Sequence, residues 1–275
     1  MLRRDFVILL PLLLTALCTS VAQAQLLGEQ PKDSVWVTRV KLLQQFINRF
    51  NYSEDWRGNS VQDPGAISKR REYIASLFEA DYASSVPRSD LLAFVEDITG
   101  SFPPRYLSFY DDNWYAKVHC KASYLGKDTE VLLTLKVQQN EDQSVQWVIV
   151  GGHAEFLELE KHDQPLVLNG NANELNFMRL FIGLEEKQRI TDFTAADYQP
   201  DPLSLIHFLI RRGDLKLHHA LSVSYHFYQL PGWIISVKEF DRHEYNSGWL
   251  IYRLEEVNEH QKRELLDSQL FVNSK

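Results

Sequence analysis

Residues 113–124 read NWYAKVHCKASY, and their alternation decides the fold class. Trp114, Ala116, Val118, Cys120, Ala122 and Tyr124 occupy the even positions, while Asn113, Lys117, His119, Lys121 and Ser123 hold most of the odd ones. A period of two is that of a strand with one face buried, because successive side chains leave a pleated strand on opposite sides. Gly126-Lys127-Asp128 then turns the chain into EVLLTLKVQ, and NEDQS turns it again into VQWVIVGG. Short polar turns between such runs predict a three-stranded antiparallel meander.

Upstream the period is helical. Trp36, Val40, Leu43, Ile47 and Phe50 recur at steps of four and three from Asp33 onward, a stripe that needs an apolar surface to pack on. Further helices are expected at SKRREYIASLFE, with Tyr73, Ile74, Leu77 and Phe78 inward, and at SDLLAFVEDI, with Ser89 as N-cap and Gly100 as stop. The basic run Lys69-Arg70-Arg71 reads as a solvated helix end.

Residues 151–172 carry no sustained period and read as a junction. Beyond them a helix is expected at about 173–186. Another is marked by Asp201 as N-cap, Pro202 at the first helical position, apolar Leu205, Ile206, Leu209 and Ile210, and Gly213 at the end. Three strand-like runs follow, LKLHHALSVSYHFYQ, GWIISVKEF and GWLIYRLEEV. The chain thus divides into a leader 1–24, an α+β unit 25–152, a junction 153–172, a second helix-then-meander unit 173–257 and a polar C-terminal tail 258–275.

The order of helices first and meander second, over about Asp33 to Gly152, resembles the NTF2-like, or cystatin-like, α+β cone. The resemblance implies helices packed on a curved antiparallel meander sheet with a pocket between helices and concave sheet, and the repeat of the same element order in the second half suggests two tandem units. One continuous α+β domain with a long curved sheet explains the same order. The family normally has a short strand before its third helix, which DYASSVPRSD would have to supply. Its members include binding modules and enzymes, so the fold alone does not choose a function.

The N-terminus MLRRDFVILLPLLLTALCTSVAQAQ has two arginines, an apolar run from Phe6 to Leu17 and small residues ending in Ala24, the three parts of a secretory signal peptide. The expected chain is exported, periplasmic or secreted, without a further apolar stretch long enough to cross a membrane. Cys18 would be the acylated residue of a lipoprotein, but Leu17 before it is too large for that processing signal. Without residues 1–24 the balance is 27 basic against 36 acidic residues, a poor match to nucleic acid. Cys120 is then the only cysteine, so no internal disulfide forms and the core must hold the fold.

Candidate chemistry is sparse. His218, His219 and His226 crowd one strand, yet His218 and His226 lie about 26 Å apart at strand rise, and His219 is expected on the apolar face as a core histidine. Asp241, His243 and Glu244 fall in a segment with ordinary turn residues. No metal site or cofactor is expected. Two functions remain: a non-enzymatic module binding a small ligand or an envelope protein, or a small-substrate enzyme using Asp112, Tyr115 and His119 as pocket acid/base residues. N-terminal sequencing of the exported chain should begin at Gln25, with an intact mass free of lipid; a chain beginning at an acylated Cys18 would overturn the leader assignment.

Overall fold

A computed structural model describes residues 43–55, 57–157, 200–241 and 248–270, with isolated positions 185, 190, 192–195 and 198 between them. The chain divides into two compact units, Met1–Leu43 and Gln44–Lys275. The elements below belong to the second, apart from Leu43 at the start of the first helix. The leader expected at 1–24, the helix expected at 173–186 (save Glu185), and residues 242–247 with His243 and Glu244 lie outside the described residues.

Helical residues 43–50 form α1, followed by α2 (Ile67–Ser76), α3 (Ala80–Ser85) and α4 (Arg88–Gly100). The first meander is β1 (Trp114–Tyr124), β2 (Lys127–Gln139) and β3 (Val145–His153). After α5 (Pro202–Arg212) the second is β4 (Leu215–Phe227), β5 (Trp233–Phe240) and β6 (Gly248–Glu256), and α6 (Glu259–Leu270) follows. Helix α5 is delimited as its sequence dictates: Asp201 accepts from the amides of Leu203 and Ser204, Pro202 opens the helix, and Gly213 ends it at φ 82°. In α4 the cap is Pro87 and not Ser89, whose hydroxyl turns to Asp90. DYASSVPRSD supplies no strand: its first residues form α3.

The strand order is β3-β2-β1-β4-β5-β6, all antiparallel. This corrects the expectation of tandem cone-like units on curved sheets. The two meanders are fused through β1 and β4 into one open six-stranded sheet, which neither curls into a cone nor closes. The NTF2-like and cystatin-like resemblance falls with it. The physical reason is the β1–β4 pairing: both strands are long, 11 and 13 residues, and match from Trp114↔Phe227 to Tyr124↔Leu215. Each meander therefore satisfies the other's central edge, and no separate sheet is left to curl.

The register expected for β1 holds: Trp114, Ala116, Val118, Cys120 and Ala122 are buried. Their face carries the aromatic core. Trp114 stacks on Phe227 at 5.6 Å, Phe46 of α1 on Phe227 at 6.1 Å, and Phe94 of α4 meets Trp233 edge-on at 5.3 Å. The outer edge of β6 is covered by the segment after α2, where the Ile251 amide donates to the Leu77 carbonyl and the Glu79 amide to that of Ile251. On the other sheet face α6, inside the stretch read as a polar tail, sets Leu265 and Leu266 against Tyr115, Tyr228, Ile234 and Val257.

The basic run at α2 is not simply solvated. Lys69 pairs with Glu72 in solvent, but Arg70 is 2% exposed. Its Nε donates to the Phe50 carbonyl and its Nη2 to that of Arg105, while the guanidinium lies 4.2 Å from the centre of the Tyr106 ring. Burial removes its water, and two carbonyls and an aromatic face replace much of it. Arg70 thereby ties the end of α1 to the loop leading into β1.

Close approach decides the position of α5. A Cβ on Gly152 would lie 2.6 Å from Ile206 Cδ1 and 3.6 Å from Leu133 Cδ2. Gly152→Ala should therefore cost about 1–3 kcal/mol by overpacking. Ile206→Val removes that Cδ1, so in urea unfolding the double variant should be more stable than the two single losses added; simple additivity would mean that α5 does not press on β3 here.

Candidate functional site

The residues expected to carry chemistry are distributed as follows. Asp112 is exposed in the loop before β1. Tyr115 is buried beneath α6, edge-on to Tyr228 at 6.0 Å, and burial with nearby Asp112 raises its pKa above the ordinary phenol value. His119, exposed, lies on the same face of β1 four residues on, about 13 Å at strand rise. It lines a polar groove of about 520 Å³ together with Lys121, Glu130, Leu132 and His153. The pairing His119↔Leu132↔His153 sets the two imidazoles on either side of a leucine. Among the described residues no group of three His, Cys, Asp or Glu side chains could hold a metal ion.

The strand histidines are redistributed by two bulges. Pairing steps from His119↔Ser222 to Cys120↔Ala220, and from Lys121↔His219 to Ala122↔Leu217, leaving Leu221 and His218 as the extra residues. Each bulge resets the alternation by one. His219 is therefore exposed opposite Lys121 and is not the core histidine. His218, also exposed, bonds Ser123 at 3.1 Å. The core histidine is His226, 9% exposed.

Around His226 the sheet builds a polar centre that the sequence reading missed. Antiparallel pairing places Tyr115 and Ser236 across from His226 on its two sides, and Lys117 and Lys238 across from Ser224. Both ring nitrogens of His226 are engaged: Nε2 is 3.0 Å from Ser224 Oγ and Nδ1 is 2.8 Å from Ser236 Oγ. Burial, with the positive charges of Lys117 and Arg253 nearby, pushes its pKa down to about 3. Lys117 is half-buried, and burial together with Arg253 lowers its pKa while Glu255 opposes the change. Arg253 is held by Glu255 through two contacts, at 3.0 and 3.1 Å. Lys117 has no hydrogen-bond or ion-pair partner among the described residues. The signal for this centre was present in sequence as polar residues interrupting apolar strands, above all Ser236 within WIISV.

A second groove, of about 930 Å³, runs between α4, the β4–β5 turn and the start of α6. Its central carboxylate, Asp97, accepts from Arg105 Nη1 at 2.6 Å and from Trp233 Nε1 at 2.8 Å. Those contacts pin the turn to α4. Among the described residues, then, the sheet face at Lys117 and Ser224 offers cationic and hydroxyl groups without acceptors, whereas Asp97 is already engaged. Neither any protein-family model, nor any curated protein, nor any solved structure matches the chain.

The neutral, buried His226 has a consequence for stability. Its ordinary pKa of 6.5 is regained on unfolding, so the unfolded chain binds the proton that the native chain refuses. The contribution is complete above pH 6.5 and is lost as the pH falls through 6.5 toward 3, at up to about 1.4 kcal/mol per pH unit. Shifted aspartates such as Asp201, whose pKa is lowered, act only near and below the ordinary carboxylate value of 3.8. Denaturant titrations between pH 7 and 4.5 should therefore show a falling midpoint that flattens in His226→Gln; an equal slope in that variant would place the effect elsewhere.

Proposed function

We propose that the chain is an exported binding module that takes a small ligand on the polar face of its sheet, at Lys117 and Ser224, without acid/base chemistry. The observation that carries this reading is the half-buried Lys117 opposite Ser224, without a hydrogen-bond or ion-pair partner among the described residues and beside an imidazole with both nitrogens engaged. Among the described residues Lys117 gains no partner for the water it has given up, which is tolerated where a ligand supplies one. Export is supported by the three-part leader at residues 1–24.

The same features weigh against the enzyme reading. A general base works best with a pKa near the operating pH, and His226 is far below it. Tyr115 lies under α6, and His119 faces a different groove.

Among the described residues no helix is long and apolar enough to cross a membrane. Thermal-shift screening against a library of neutral, cationic and anionic metabolites should give at least one class that raises the melting temperature, an effect lost in Lys117→Met and kept in His119→Gln. Ligand effects indifferent to Lys117, or turnover of a compound abolished by His119→Gln, would sink the proposal.

A further inference from the structure

The protons of the His226 network determine what the face can recognise. Ser236 is 1% exposed, and its hydroxyl has one hydrogen-bond partner among the described residues, Nδ1 of His226 at 2.8 Å. A buried hydroxyl whose proton meets no acceptor is strongly disfavoured, whereas an unused lone pair costs much less. Ser236 therefore donates to Nδ1. A neutral imidazole carries one N–H, so that proton is on Nε2 and is donated to Ser224 Oγ at 3.0 Å. Ser224 accepts from the ring, and its own proton remains without an acceptor among the described residues.

This assignment removes one role and creates another. Nε2, already protonated, cannot take a proton from Ser224, so Ser224 is not a histidine-activated nucleophile. It is instead a hydroxyl donor, strengthened by the bond it accepts. It sits on a half-buried strand position between Lys117 of β1 and Lys238 of β5. Lys238 is held 4.8 Å from the Phe240 ring and 4.9 Å from that of Tyr252, which restrains a side chain that would otherwise sweep through solvent. An O–H donor without an acceptor among the described residues, flanked by two ammonium groups, has one chemical complement. It is an oxyanion, whose lone pairs accept from the hydroxyl while its charge is matched by the lysines.

We infer that Ser224 and Lys117, with Lys238 beside them, form an oxyanion site that binds the carboxylate or phosphate group of a small ligand. The inference rests on the reading of this sheet face as a binding surface and specifies what it binds. Carboxylate and phosphate share the acceptor chemistry, and the experiment separates them.

Full-length protein lacking only the leader is titrated with inorganic phosphate, with succinate and with chloride at constant ionic strength, followed by amide NMR shifts and melting temperature. One of the two oxyanions should perturb the amides of Lys117 and Ser224 and raise the melting temperature, with chloride inactive. Affinity should fall at least tenfold in Ser224→Ala and in Lys117→Gln. Ring ¹⁵N shifts of His226 should place its proton on Nε2 in the free protein. The inference is overturned if neither oxyanion binds at tens of millimolar, if binding is unchanged in Ser224→Ala, or if the proton is found on Nδ1. A neutral ligand that binds through Lys117 while both oxyanions fail would leave the binding surface standing and remove the oxyanion. Failure of every ligand class would remove both.

Discussion

The antiparallel pairing of β1 with β4 is the constraint on which the rest of the structure depends. It lines up Trp114 with Phe227, Ala116 with Tyr225 and Val118 with Val223, so one face becomes a continuous apolar surface for the N-terminal helices. Because the pleat is strict, the same pairing aligns Lys117 with Ser224 and Tyr115 with His226 on the opposite face. Core and candidate site are thus two readings of one register. A slip of one residue would exchange them, burying lysine and exposing tryptophan. The penalty for that exchange makes the geometry of the polar centre as well specified as the core.

The bulges in β4 show how a strand serves two environments. Its second half, from Val223 to Phe227, is buried between β1 and β5 except for half-buried Ser224, while its first half pairs with β1 and carries exposed Lys216, His218 and His219. Leu221 and His218 absorb the change. Each extra residue re-aims the following side chains, which is why the histidine cluster that dominates the sequence of this strand is dispersed into surface positions. The residue that matters for the centre, His226, belongs to the regular half.

Two buried cationic or titratable groups illustrate different ways of meeting the cost of desolvation. Arg70 cannot lose its proton, so the fold surrounds it with the carbonyls of Phe50 and Arg105 and the ring of Tyr106, using the charge to bind loop to helix. His226 can, and the fold keeps it neutral between two hydroxyls. Lys117 follows neither course. It remains half-buried beside Arg253 with no hydrogen-bond or ion-pair partner among the described residues.

The sequence by itself determined the local order. Period two over 113–124 placed five buried side chains of β1 on the core face, polar turns closed the first meander, and Asp201, Pro202 and Gly213 delimited α5. These are properties of neighbours along the chain, where pleat, capping and backbone freedom act over a few residues. Only the tertiary structure decided that the two meanders share one open sheet, since the partner of a strand edge is set by contacts about a hundred residues away, as between Trp114 and Phe227. The polar centre was illegible for the same reason. Lys117, Ser224, His226 and Ser236 come from three strands, and only the register that joins those strands brings Ser224 and Ser236 onto the two ring nitrogens of His226 with Lys117 alongside.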